Sequence, residues 1–271
     1  MKVHVLASGS TGNAVLVEDG ESRLLVDAGL SARELERRLA LVGCPAAGAV
    51  QAILLTHEHT DHVRGVRVFA ARHGIPVFAT AGTWRGLDAE TRAALGALRR
   101  EVSHRLEVRD IPGCGIVALP VRTAHDTNAP VGYVLTSACG RHRAGVATDM
   151  GHEGLMPREL AGCSLLVLEF NHDVELLRRN TRYPRQLKER ILGDGGHLSN
   201  EQAARLLQKM FHLGHGQRLE SLVLAHLSEE NNTPALALAA AREVLERFRI
   251  HERVEVKVAG PHAPVTVSIR R

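Results

Sequence analysis

Ala52-Ile53-Leu54-Leu55-Thr56-His57-Glu58-His59-Thr60-Asp61-His62 is the stretch on which the reading of this chain turns. Its first four residues are a short apolar run of the kind that forms a buried strand. Behind them, four candidate metal ligands, His57, His59, Asp61 and His62, fall within six residues. In a helix these side chains would point in different directions, whereas a tight loop lets them converge on a small volume. Imidazole and carboxylate at this density suit borderline divalent ions such as zinc, and also manganese where a carboxylate and water complete the shell.

Outward from this loop the same arrangement recurs. Asp27 follows Leu24-Leu25-Val26, His125 follows Pro120–Ala124, Asp149 follows Gly145–Thr148, Glu169 follows Leu165–Leu168, and His226 follows Leu222–Ala225. Each is a polar residue at the C-terminal end of an apolar strand, and in layered α/β folds that edge is where loops converge into active sites. One such residue is an ordinary strand cap; together with the histidine loop they define a site.

Further strands are expected at Lys2–Leu6, Ala14–Glu18, Ala52–Thr56, Pro76–Ala79, Gly115–Pro120, Gly132–Thr136, Arg253–Val258 and Pro264–Ile269. Helices announce themselves by their caps: Ser31 with Glu34, Ser199 with Gln202, and Thr233 before Pro234, the last opening a helix to about Phe248. Others are expected over Val63–His73 and Asp88–Arg100. The alternation predicts two sheets in the middle with helices outside, and no linker or repeat divides residues 1–271 into more than one domain. No run approaches the roughly 20 apolar residues of a membrane helix. The four cysteines form no C-x-x-C pair and the N-terminus opens on a strand pattern, so the chain reads as cytoplasmic with reduced thiols.

The histidine loop, Asp27, His125, Asp149 and His226 resemble the five motifs of the metallo-β-lactamase-fold hydrolases. Within that superfamily, Ser8-Gly9-Ser10-Thr11-Gly12-Asn13, Leu168–Asp173, Asp194–Asn200 and Ala225–Pro234 are similar to strings of the bacterial YycJ/WalJ-type exonucleases. The resemblance implies an α/β fold, an αββα four-layer sandwich with two divalent metal ions in its cleft. His57, His59 and His125 would hold one ion; Asp61, His62 and His226 would hold the other, with Asp149 bridging. Asp27 would stand behind them, accepting the second N–H of a ligand histidine. The resemblance also implies removal of nucleotides from DNA, from a 5′ end, with manganese favoured; zinc is the alternative, since such sites intrinsically bind it more tightly.

Two metals about 3.5–4 Å apart can generate hydroxide at neutral pH and stabilise charge on an attacked ester, and Asp61 is the group to orient the nucleophile. Three features favour a nucleic-acid phosphodiester as the bond attacked. Arg178, Arg179, Arg182, Arg185, Lys188 and Arg190 against Glu189 give +5 within residues 178–190, more than the +4 of the whole chain, enough to neutralise several phosphates. Gly195-Gly196-His197-Leu198-Ser199 leads into a capped helix whose N–H groups could face a phosphate, with His197 as donor to the phosphate or leaving oxygen. Asn171 and His172 precede the basic segment as candidate channel residues, and Asp173 is the better cap for the next helix.

Glu169 and His197 also resemble the acidic and histidine residues flanking the site of tRNA 3′-processing enzymes. The catalytic candidates are therefore Asp61, His197 and Glu169. With Trp84, Tyr133, Tyr183 and five Phe as the only aromatics, few stacking platforms are available, so DNA recognition should rest on backbone phosphates. RNA is the alternative partner, although the 77 residues from Asp149 to His226 leave no room for the large inserted domain of the RNA-cleaving branch. A small-molecule, cyclic phosphodiesterase would not need the basic segment, a thioester or lactam hydrolase would give Glu169 and His197 no role, and a metal-stabilised binding module would not need a full ligand set.

Overall fold

The computed structural model describes residues 1–44, 46–214 and 218–269. Runs such as Leu165-Leu166-Val167-Leu168 have no polar alternation, so both faces of the strand must be covered. They are: Leu165 and Val167 enter a core between two sheets, while Leu166 and Leu168 enter a second core beneath helices. Leu24 and Val26 likewise face the first core and Leu25 a third. Burying one such side chain stabilises by roughly 1.5–3 kcal/mol, which makes the four-layer stacking the way these runs are satisfied.

The chain opens on an antiparallel meander, β1 (Lys2–Ala7), β2 (Ala14–Asp19) and β3 (Ser22–Val26). Helix α1 (Ala32–Leu41) leads to β4 (Ala52–Leu54), then α2 (Thr60–Val63) and α3 (Val66–His73) to β5 (Val77–Thr80). Helices α4 (Ala81–Gly86) and α5 (Ala89–Leu95) precede β6 (Arg99–Val102). A second half begins with β7 (Val117–Arg122), β8 (Val131–Thr136) and β9 (Arg143–Ala147). It continues through α6 (Met156–Glu159), β10 (Leu165–Glu169), α7 (Val174–Arg179), α8 (Arg185–Leu192) and α9 (Asn200–His212). The chain closes with β11 (Ser221–Ala225), α10 (Pro234–Arg247), β12 (Glu255–Val258) and β13 (Val265–Ser268).

Among the described residues the sheets run β13-β1-β2-β3-β4-β5-β6 and β12-β11-β10-β9-β8-β7. Helices α1 and α3 cover the outer face of the first sheet, α9 and α10 that of the second. The expected two sheets inside helices are thus present, an α/β sandwich. Strands β3 and β4 are parallel, as are β9, β10 and β11, so within each sheet the C-terminal ends of these strands share an edge.

Two expected helices differ. The pattern over Asp88–Arg100 stops at Leu95 because Gly96 takes φ 35°, and Arg99–Val102 pairs in parallel with β5 as an edge strand. The helix expected over Val63–His73 is interrupted at Gly65, whose N–H donates to Ala28 O and where a Cβ would lie 2.1 Å from Leu30 O. No helix among the described residues is long and apolar enough to cross a membrane.

Candidate metal centre and active-site cleft

Three residues leave their strands in the left-handed region: Asp27 (φ 62°), Asp149 (φ 58°) and His226 (φ 55°). L-residues adopt it at a cost of order 1–3 kcal/mol, and such strain persists where the surroundings over-determine it. Here the turn ends the strand abruptly and brings the side chain to the shared edge. Hydrogen bonds fix it. His226 N–H donates to Ser8 Oγ (2.7 Å) and its carbonyl accepts from Asn171 Nδ2 (2.8 Å).

The histidine loop is part loop and part helix. His59 is extended and caps the helical turn α2, which carries Asp61 and His62. The change of backbone within three residues is what aims four side chains at one point.

His57, His59 and His125 bring ligand atoms within 4.8 Å of one another, as do Asp61, His62 and His226, and as do His57, His62 and Asp149. Asp149 spans both groups: its Oδ2 is 3.1 Å from His62 Nε2, and its Oδ1 is 3.8 Å from His125 Nε2 and 3.6 Å from His226 Nε2.

The acceptors behind these residues fix which ring nitrogen is free. His62 Nδ1 donates to Asp27 Oδ2 (2.7 Å), His125 Nδ1 to Gly196 O (2.9 Å), His226 Nδ1 to Glu169 Oε1 (3.2 Å) and His57 Nδ1 to Thr56 Oγ1 (3.0 Å). Thr56 in turn donates its N–H and hydroxyl to Asp27. In the neutral ring each Nε2 is thereby left as an acceptor, the arrangement that orients metal-ligating imidazole; burial opposes the charged form of His62 and His226, while Asp149 beside them favours it.

The residues fit divalent cations. His57 Nε2 and His226 Nε2 are buried without a hydrogen-bond partner, a costly state that a metal would relieve. Asp27, Asp149 and Glu169 are buried beside half-exposed Asp61, and no Lys or Arg among the described residues pairs with any of them. Burial holds the His57 imidazole well below its usual range, in the neutral form a ligand needs. Burial works against a charged Glu169, yet His197 and His226 hold its carboxyl down to about 2.

A cleft of about 360 Å³ opens over this centre, lined by His59, Asp61, His125, Asp149, His197 and His226 among others. His197 Nδ1 donates to Glu169 Oε1 (2.8 Å), so its other nitrogen is available to the cleft. Glu169, expected among the catalytic groups, has no exposed surface and also accepts from Met150 N and Leu198 N. It stands behind His197 and His226 and accepts from both instead of facing the cleft.

Asn171 lines the cleft. His172 does not: it is fully buried, its Nδ1 against Asn171 Oδ1, and Asp173 caps α7 as expected. Ser199 is buried in a complete capping box with Gln202. The N–H groups of Gly196, His197 and Leu198 are committed to Gly193 O, Ile191 O and Glu169, so they do not form the phosphate cradle expected there.

The basic segment is also altered by its surroundings. Arg178 and Arg179 pair with Glu175, Arg182 with Glu230, and Arg185 with Glu189, while Lys188 donates to Arg178 O. None of these five cations lines the cleft. Arg190 does, paired with Asp126 (2.5 Å). Glu175 nearby, and Glu230 and Asp126 far off in sequence, thus offset part of the charge of a run that looks strongly positive by itself.

Sequence reasoning missed Asp126, Asn13, Tyr183 and the cleft position of Arg190. Asn13 ends the Ser8–Asn13 string; its N–H donates to Asp61 O (2.8 Å), and its Nδ2 lies 3.2 Å from Asp61 Oδ2 and 3.0 Å from His62 Nε2. That string was the available signal, and Asp126 directly follows His125.

Residues 22–226 match the model of the beta-lactamase superfamily domain. Exodeoxyribonuclease YycJ of Bacillus anthracis is 34% identical over 267 residues, covering 97% of each chain. Exodeoxyribonuclease WalJ of Streptococcus pneumoniae strain D39 is 35% identical over 95% of this chain and 93% of its own. The crystal structure of the metallo-beta-lactamase fold protein YhfI from Bacillus subtilis superposes with a TM-score of 0.67 at 17% identity, covering 98% of this chain and 99% of that one. With its fold, its His/Asp clusters and this similarity along nearly its whole length, the chain belongs to the beta-lactamase superfamily and, within it, to the YycJ/WalJ family, and is a metal-dependent hydrolase.

Proposed function

We propose that this protein is a DNA exonuclease that hydrolyses phosphodiesters from a 5′ end with two divalent ions, manganese favoured for activity and zinc the alternative. The observation that carries the reading is the similarity, end to end on both chains, to proteins named exodeoxyribonucleases. His57, His59 and His125 would hold one ion and Asp61, His62 and His226 the other, with Asp149 between them. Ions so held supply Lewis acidity and a nucleophile at neutral pH.

The chain's own part is positioning and proton transfer. Asp61 stands at the cleft floor to orient the nucleophile. His197, fixed by Glu169, presents its free nitrogen to the phosphate or the leaving oxygen, a general-acid role worth roughly 10²–10⁴-fold. Arg190, at the cleft wall, offers charge to a phosphate if Asp126 yields it. Single-domain organisation and a cytoplasmic setting belong to the same reading; four free cysteines support the latter.

The test is 5′-labelled duplex DNA, matched RNA and bis-p-nitrophenyl phosphate incubated with the protein in Mn²⁺ and in Zn²⁺. Release of labelled nucleotides from DNA is expected, and Asp149→Asn, which tolerates the left-handed backbone, should lower it by about 100-fold or more, beyond the 10–100-fold typical of outer partners. Turnover of the small ester alone, or of RNA alone, would rule the DNA reading out.

A further inference from the structure

Metal-ester chemistry accounts for the polar lining of the cleft but leaves one wall unexplained. Tyr183, Leu187 and Ile191 recur every four residues along and just before α8, and all three line the cleft with Leu227. No residue of α8 is buried in the protein. An amphipathic helix normally buries its apolar stripe against a core; this one turns the stripe toward the cleft that holds the metal ligands.

Tyr183 is the one Phe, Tyr or Trp residue lining that cleft. Trp84 and Tyr133 are buried, with Trp84 Nε1 donating to Arg100 O and the Tyr133 hydroxyl donating to Leu55 O. The Tyr183 side chain makes no hydrogen bond or ring contact among the described residues, although its backbone is held: its N–H donates to Asn180 Oδ1 (3.2 Å), and Pro184 restricts it to extended conformations. The last turn of α8 is tied to the catalytic loop by His197 N–H donating to Ile191 O (3.0 Å). The apolar wall and His197 are therefore set at a fixed spacing.

We propose that Tyr183, Leu187 and Ile191 form a platform for the nucleobase of the terminal nucleotide, whose phosphate lies at the metal centre. The inference rests on the nuclease reading above. A phosphate has no use for an apolar wall, whereas a base presents an aromatic face of any sequence to it. The base covers the half-exposed ring and aliphatic side chains, and the hydroxyl of Tyr183 stays in water. Recognition thus includes stacking as well as backbone contact, without base-specific hydrogen bonds.

The experiment compares kcat/KM for duplexes ending, at the attacked end, in an intact nucleotide or in an abasic tetrahydrofuran analogue. The wild type should favour the intact end by roughly 5- to 150-fold, the range of a stacked base. Tyr183→Ala should bring that ratio close to one, and Tyr183→Phe should retain it. Equal cleavage of both ends by the wild type, or a Tyr183→Ala variant that lowers both by the same factor, overturns the platform. A wild type that releases nucleotides from neither duplex removes the exonuclease reading and the platform with it, a result distinct from either of those.

Discussion

At the scale of single residues, the candidate ligands are held by groups that stand behind them. Asp27 accepts from His62 Nδ1, Thr56 N and Thr56 Oγ1, so its charge fixes one candidate ligand directly and, through Thr56, His57 as well. Asn occupies the left-handed region nearly as readily as Asp, so Asp27→Asn removes the charge and keeps the turn. Its metal affinity should fall about 10–100-fold in competition with a chelator; an unchanged affinity would show that Asp27 only shapes the backbone. His172 gives a second prediction. It is fully buried, and burial holds its imidazole down to about 4 from 6.5. The unfolded chain therefore binds a proton first on acidification. Stability is full above pH about 6.5, falls as the pH drops through 4 and levels off below, by about 3 kcal/mol in all. Urea midpoints of His172→Asn should be correspondingly less sensitive to acid than those of the wild type, and parallel curves would refute the assignment.

At the scale of elements, the helical turn α2 sits against the β3 exit so closely that one position admits only glycine. A Cβ at Gly29 would lie 1.7 Å from Asp61 O, while Gly29 N–H donates to Asn13 O and Asn13 N–H to Asp61 O. Gly29→Ala must push away the turn carrying Asp61 and His62. A loss of about 3 kcal/mol or more is expected from urea unfolding, at the upper end for overpacking, with metal affinity lost alongside; a stable variant that keeps its metal would contradict this packing. The elements also explain what could be read in advance. Asp27, Glu169 and His226 directly follow apolar triplets or quartets, a short-range pattern, and so were legible. Strand β6 was not, because Arg99–Val102 becomes a strand only by pairing with β5. Nor was the fate of the basic segment: Arg182 and Arg190 find their carboxylates 48 and 64 residues away, beyond any count made along the sequence. Ser199 and His172 lie near the site in sequence but are used by the fold, one as a cap and the other in the interior.

At the scale of the molecule, the candidate ligands are divided between its halves. His57, His59, Asp61 and His62 follow β4 of the first sheet, whereas His125, Asp149 and His226 follow β7, β9 and β11 of the second. The apolar core between the sheets and hydrogen bonds such as His226 N–H to Ser8 Oγ and the Tyr133 hydroxyl to Leu55 O hold the halves together; a cation bound to both groups adds a further tie at this edge, and neutralises carboxylates that otherwise face one another. Binding of this kind is linked to folding, because the unfolded chain lacks the converged site. Each ion at 100 times its Kd adds about 2.7 kcal/mol, which for a chain of this size corresponds to roughly 5–10 °C in Tm. Thermal unfolding in excess chelator and then in Mn²⁺ or Zn²⁺ should show that rise, and Asp149→Asn should lose most of it because Asp149 faces both groups of ligands. A wild type whose Tm is indifferent to chelator and metal would mean that the halves meet without help from the cations, and that the orphaned Nε2 atoms of His57 and His226 are satisfied in some other way.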